Sequence, residues 1–227
     1  MVGEPERCGS GGAEGVNTQV RRAVDRYLDA KHTLLLAGFA PEIDWQASRS
    51  FDRVDESAFL REAAWVVLSA GFSEAVLRPR FKDISEAFLH WTSARSICLS
   101  ADRCARDALA VFGHVRKITA IVDIAEEVSV LGFATLASEL QDDPVVRLQA
   151  FPYIGPVTSL HLAKNLGFDV AKPDRHLSRI ATALRFESAG DLCRAVSTVV
   201  GDRLSVVDLV FWRFATLVPD YEERLMD

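Results

Sequence analysis

The residues of this chain best placed to do chemistry lie between Phe151 and Ile180, in FPYIGPVTSLHLAKNLGFDVAKPDRHLSRI. Near the end of that stretch Lys172-Pro173-Asp174 precedes a helical run, which sets a carboxylate at a helix start. The helix dipole favours the charged form there, so Asp174 is expected to be ionised at neutral pH. Such a carboxylate can cap the helix, stabilise a developing positive charge, or do both. Upstream, the turn Pro152-Tyr153-Ile154-Gly155 leads into a helical run from Pro156 to Leu166. Proline suits the first helical position, where its missing N–H costs nothing. Gly167 suits the left-handed stop just past the helix. A turn that presents backbone amides at a helix N-terminus is a ready site for a phosphate. From Phe151 to Arg185 the basic residues Lys164, Lys172, Arg175, Arg179 and Arg185 face only Asp169 and Asp174. This local positive charge reads either as a solvated helix face or as a compact anion footprint.

These residues resemble the helix-hairpin-helix plus Gly/Pro-Asp motif of the DNA glycosylase superfamily that includes endonuclease III. Phe151-Pro152-Tyr153-Ile154-Gly155 stands where the family hairpin reads roughly Leu-Pro-Gly-Val-Gly, and Asp174-Arg175-His176 stands where the family places its aspartate and a histidine two residues on. The hairpin alone also occurs in non-catalytic DNA-binding modules; the hairpin with an aspartate at this separation is more specific. The similarity runs more weakly from about Ser57 to about Ala215.

The resemblance implies excision of a base, with Asp174 as the catalytic residue. Breaking a C1′–N bond passes through a sugar of oxocarbenium character, which a nearby carboxylate stabilises while it orients water. Bifunctional relatives carry a nucleophilic lysine two residues after the second hairpin glycine. Here that position is Val157, so the resemblance implies a monofunctional enzyme that leaves an intact abasic site. Lys172 is the fallback nucleophile for a glycosylase/lyase, and otherwise a phosphate contact or a solvated lysine. A non-catalytic DNA-binding module is the further alternative. The implied DNA contacts are Thr158, the amides of Ile154, Gly155 and Val157, the basic Lys172 and Arg175, and His176, which also reads as a plain helix-face histidine.

Tyr153 departs from the family glycine. Tyrosine makes a positive φ costly, so a slightly altered turn is expected, with the ring on DNA, in the cleft, or over the apolar side of the hairpin. A flipped base leaves a gap that relatives fill from the loop after the helix corresponding to 56–70. Gly71 cannot fill a gap; Phe72 can act as an apolar wedge or serve as a core residue. Trp45, Glu62, Trp65, Glu74 and Trp212 are candidates for a base pocket, each with a plain core or surface reading beside it. The base itself is open: alkylated, oxidised, deaminated or a hypermodified phage base, and hence repair or antiviral defence.

Positioning these groups falls to helices. The 227 residues are 49% hydrophobic with a net charge of −6. That describes a soluble globular chain of one domain or two small lobes, and argues against broad non-specific nucleic-acid binding. No apolar run reaches the length of a membrane span and no signal-peptide core opens the chain, so a cytoplasmic, membrane-free, monomeric protein is expected. Cys8, Cys98, Cys104 and Cys193 are scattered. Some relatives bind an iron–sulfur cluster through four C-terminal cysteines, but only Cys193 lies there, so neither metal nor any other cofactor is expected.

The periodicity predicts helices over about 17–36, with Val20, Val24, Tyr27 and Leu28 inward, and over 56–70, capped by Asp55. Further helices are expected from Ser73 with Pro79 kinking or interrupting, over 100–112, 115–130, 133–140 and 143–150, through the motif, and near 191–200 and 205–217. Residues 1–15 read as a disordered tail, and 38–54 as a loop or an arm laid across the fold. No strand is evident. The expected fold is all-α: two helical lobes, about 73–175 and 16–72 plus 176–227, flanking a DNA-binding cleft with the helix-hairpin-helix motif.

Overall fold

The computed structural model describes residues 11–226, with side chains from 17 to 225 apart from Glu74. The described residues are all-helical: fourteen α-helices and no strand. They divide into a terminal unit, 1–47 with 173–227, and a central unit, 48–172. The central unit therefore starts at 48 rather than 73. The physical reason is the helix at 56–69, whose buried residues belong to the core of this unit.

The terminal unit holds α1 (Gly11–Leu36), α2 (Ala40–Ser48), α11 (Arg175–Ala183), α12 (Ala189–Val200), α13 (Leu204–Leu217) and α14 (Tyr221–Met226). Residues 11–15 of the expected tail are thus helical, while 1–10 lie outside the described residues. The buried stripe of α1 is Ala23, Tyr27, Ala30 and Leu34, one helical face at spacings of three and four. Val20 and Val24 are only partly buried and Leu28 is exposed, because the small alanines, not the larger residues, let α1 approach its neighbours. Tyr27 meets Phe211 of α13 edge-on at 5.6 Å. Its hydroxyl donates to Asp202 Oδ2 at 2.5 Å, which Lys31 also reaches at 2.6 Å. Burial and the Asp202 carboxylate together hold the phenol strongly in its neutral form.

The central unit runs from α3 (Glu56–Ser69) through α4 (Glu74–Ala87), α5 (Ala94–Leu99), α6 (Ala101–Val111), α7 (Val115–Leu131), α8 (Phe133–Asp142) and α9 (Pro144–Gln149) to α10 (Pro156–Asn165). Asp55 caps α3 by accepting from Ala58 N at 2.8 Å. Phe59, Leu60, Ala63, Ala64, Val66, Val67 and Leu68 bury α3 almost all round, which makes it the centre of the unit. Pro79 does not interrupt α4. It removes one ladder bond near the helix start, and Leu77 and Ile84, both fully buried, hold the helix in place on either side.

Between α4 and α5 the chain makes a left-handed turn. Leu89, His90 and Trp91 have φ of 56°, 53° and 60°. Each such residue costs about 1–2 kcal/mol. The turn is held by Trp91, which is buried, stacks on Phe88 at 5.0 Å and donates its indole N–H to Ser85 Oγ at 3.0 Å.

The expected arm is α2 followed by a 3-10 turn, Phe51–Arg53. The turn lies against the end of α10, with Phe51 stacked on Phe168 at 4.4 Å. Gly167 permits this: its φ is 96°, and a Cβ there would stand 2.7 Å from the Ser50 carbonyl carbon.

Candidate functional site

The central unit carries the turn between α9 and α10. Asp143 caps α9 through Val146 N at 3.0 Å, and Pro144 and Pro156 each occupy the first turn of their helix. Tyr153 adopts φ 64°, so the left-handed backbone that a glycine would supply is present with a tyrosine in it. The expectation of an altered turn is not met at this residue. Its ring compensates by meeting His114 edge-on at 6.3 Å.

The amides divide into used and unused. Ile154 N donates to Phe151 O at 3.2 Å, and Gly155 N to Thr158 Oγ1 at 2.7 Å. The Thr158 hydroxyl is thus spent on the turn itself. Pro156 has no N–H, and the amides of Val157 and Thr158 have no partner among the described residues. They are two of the orphan donors that any helix start carries. Gly155 has φ −97°, which any residue adopts, and a Cβ on it would meet nothing nearer than Thr158 Oγ1 at 4.0 Å.

Two residues remote in sequence are brought together beside this turn. Phe72, just past α3, and Tyr153 are both 41% exposed. Between them stands His114, 6.1 Å from the Phe72 ring and 6.3 Å from the Tyr153 ring. Phe112 supports Phe72 from the buried side at 5.2 Å. Lys117, only 3% exposed, reaches beneath the group. Its ammonium donates to the carbonyls of Val67, Leu68 and Ala70 at 2.7, 2.9 and 2.5 Å. These belong to the orphan carbonyls and cap at the end of α3, where a cation also meets the helix dipole. The same ammonium lies 4.9 Å from the Phe72 centroid and 6.0 Å from that of Tyr153. Burial lowers its pKa to about 8.

Neither family models, nor curated proteins, nor solved structures provide a match to this chain.

The terminal unit carries Asp174 at the N-cap of α11. Its Oδ1 accepts from His176 N at 2.9 Å and Leu177 N at 3.0 Å, while Oδ2 has no hydrogen bond among the described residues. One carboxylate oxygen therefore holds the helix start by itself. His176 is tied down on both sides: Arg175 Nε donates to its Nε2 at 3.3 Å, and its Nδ1 lies 3.2 Å from the Tyr221 hydroxyl. Arg175 itself is exposed. Lys172 ends the central unit; burial, and after it the charges of Lys172 and Lys164, push the His161 pKa well down.

The pocket candidates do not converge within either unit. Glu62 is buried and engaged, accepting from Arg61 at 2.9 Å and Asn165 Nδ2 at 3.1 Å. Trp65 packs edge-on against Phe81 at 5.0 Å under the Arg78 guanidinium. Glu74 opens α4, but its side chain lies outside the described residues. In the terminal unit Trp45 is half exposed on α2, and Trp212 stacks with Arg213 at 4.6 Å. Arg213 in turn makes a two-pronged pair with Glu42, at 2.8 and 2.5 Å. Among the described residues no three His, Cys, Asp or Glu side chains are grouped as a metal site, and no helix is long and apolar enough to cross a membrane.

Lys117 and His114 are the residues that sequence reasoning missed. The available signal was a lysine within the apolar stripe of α7, in register with Ile121, Ile124 and Val128.

Proposed function

We propose that this chain is a monofunctional DNA glycosylase, hydrolysing the N-glycosidic bond of a damaged or modified base. The observation that carries the reading is the backbone of the α9–α10 turn. Tyr153 holds the left-handed conformation of the family's hairpin glycine although its side chain disfavours it, and the turn leaves the Val157 and Thr158 amides open at the start of α10. These amides would bind a phosphate of the DNA backbone. In this reading Asp174 is the carboxylate that faces C1′. Oδ1 keeps the helix cap while Oδ2 stabilises the oxocarbenium-like sugar and orients the attacking water. Val157 supplies no amine for a Schiff base, and Lys117 commits its three donors to carbonyls, so the product is an intact abasic strand. Phe72, exposed at the end of α3, fills the gap left by the flipped base.

The test is release of free bases from a panel of alkylated, oxidised, deaminated and hypermodified DNAs, read by mass spectrometry, with borohydride trapping in parallel. Base release without a trapped adduct is the expected result. A trapped adduct that Lys172→Ala abolishes would replace it with the glycosylase/lyase reading. No base release, with binding retained, would leave a non-catalytic DNA-binding module.

A further inference from the structure

We propose that Lys117 is a positioning residue for DNA recognition: it fixes Phe72 and Tyr153 as one rigid aromatic edge by clamping the end of α3 beneath them. The inference rests on the glycosylase reading for its ligand, but on the side-chain geometry for its mechanism. The two rings come from segments about eighty residues apart, the α3 end and the α9–α10 turn. Phe72 follows Gly71 in a short connection; Phe112 and His114 support its ring from the side, but neither fixes the backbone from which it emerges. Lys117 supplies that constraint twice over. Its three carbonyl bonds fix the backbone from which Phe72 emerges. Its charge then attracts the faces of both rings, within the roughly 6 Å over which such attraction is significant. His114 bridges the pair from the side. A wedge must resist the stacking of the bases it separates, so a ring free to swing away would yield its place to them.

A buried lysine can also be merely structural, and the experiment must tell the two apart. The probe is a duplex with one tetrahydrofuran abasic analogue, compared with the same duplex intact, at a temperature where every variant is folded. Wild type is expected to prefer the abasic duplex. Lys117→Met and Phe72→Ala should each reduce that preference about tenfold, the scale of one lost ring interaction. The double variant should lose clearly less than the product of the two single effects, because Lys117 acts largely through the Phe72 ring, with Tyr153 as the remainder. A structural role would weaken both DNAs alike and leave the preference unchanged. That result, or effects that add in the double variant, overturns the role given to Lys117 and leaves the glycosylase reading standing. If wild type itself shows no preference, both fall. Should Lys117→Met fail to fold, Lys117→Gln keeps two donors for the carbonyls without the charge. A partial loss of preference in it supports the clamp, and full preference overturns it.

Discussion

The ammonium of Lys117 stands 4.9 Å from the centre of the Phe72 ring while all three of its bonds go to main-chain carbonyls. A charge so placed has a consequence for stability against pH. Burial lowers the pKa of Lys117 from 10.5 to about 8. Below about 8 the group is protonated in both folded and unfolded chains, and the cost of burying the charge is fully felt. Between about 8 and 10.5 the folded protein has released the proton and the unfolded chain still holds it, so this contribution to stability rises with pH. Urea unfolding of wild type and Lys117→Met at about pH 7 and about pH 9.5 isolates the effect, since Tyr153, which faces the same ammonium, and His114 beside Tyr153 are common to both. The difference between the two proteins is expected to move in favour of wild type at the higher pH. A move the other way would mean that the carbonyl bonds hold the ammonium charged against burial.

Asp174 offers a separation of cap from chemistry. Asparagine accepts the same bonds from His176 N and Leu177 N, so Asp174→Asn should unfold within about 0.5 kcal/mol of wild type, whereas Asp174→Ala should lose about 1 kcal/mol. Under the proposed function the asparagine variant should excise about a hundredfold to a thousandfold more slowly in single turnover. Wild-type excision by a folded Asp174→Asn would reduce this residue to a helix cap.

The two glycines flanking α10 should respond to alanine very unequally. Gly155→Ala meets open space in an ordinary backbone conformation and is expected to change stability by less than about 1 kcal/mol. The conformational reason for a glycine in the turn thus falls at Tyr153, not at Gly155. Gly167→Ala adds a methyl against the backbone of Ser50 at a φ of 96°, and should cost about 3 kcal/mol or more. Denaturant midpoints of the two variants check both statements, and equal losses would contradict the packing of the 51–53 turn on α10.

His90 is exposed, sits at φ 53°, and its side chain makes no hydrogen bond, ion pair or ring contact among the described residues. His90→Gly should therefore raise stability by about 0.5–1 kcal/mol, since glycine takes this conformation without the steric penalty. A destabilised variant would show that the turn is not left-handed in solution.

Helices with chemical punctuation were legible in the sequence. Asp55 and Asp143 announce α3 and α9, and Gly132 ends α7 as its position suggests. What escaped was short or weakly patterned. In α2 only Ile43 and Gln46 are buried, so it shows no apolar stripe. The six-residue helices α5 and α14 are too brief for a period to register. The left-handed turn at 89–91 has no glycine to betray it. Local rules placed the Asp174 cap on α11, but of the three turn amides only that of Val157 is open, those of Ile154 and Gly155 being used within the turn. The pairing of Phe72 with Tyr153 through His114 and Lys117 depends on contacts between distant segments, which no local pattern encodes. Glu62 illustrates the converse. Its residue type suited a base pocket, yet burial required partners, and Arg61 and Asn165 supply them.

The hydrogen bond between Tyr27 and Asp202 joins residues 175 positions apart. Its two ends belong to one unit whose chain is split by the whole of residues 48–172. During synthesis, then, the helices of the central unit follow one another without interruption, while α1 waits with Tyr27 and Ala23 uncovered until α12 and α13 have been made. The order of events is fixed by gene order rather than by stability. A nascent chain halted before Asp202 would hold Tyr27 without the carboxylate it donates to.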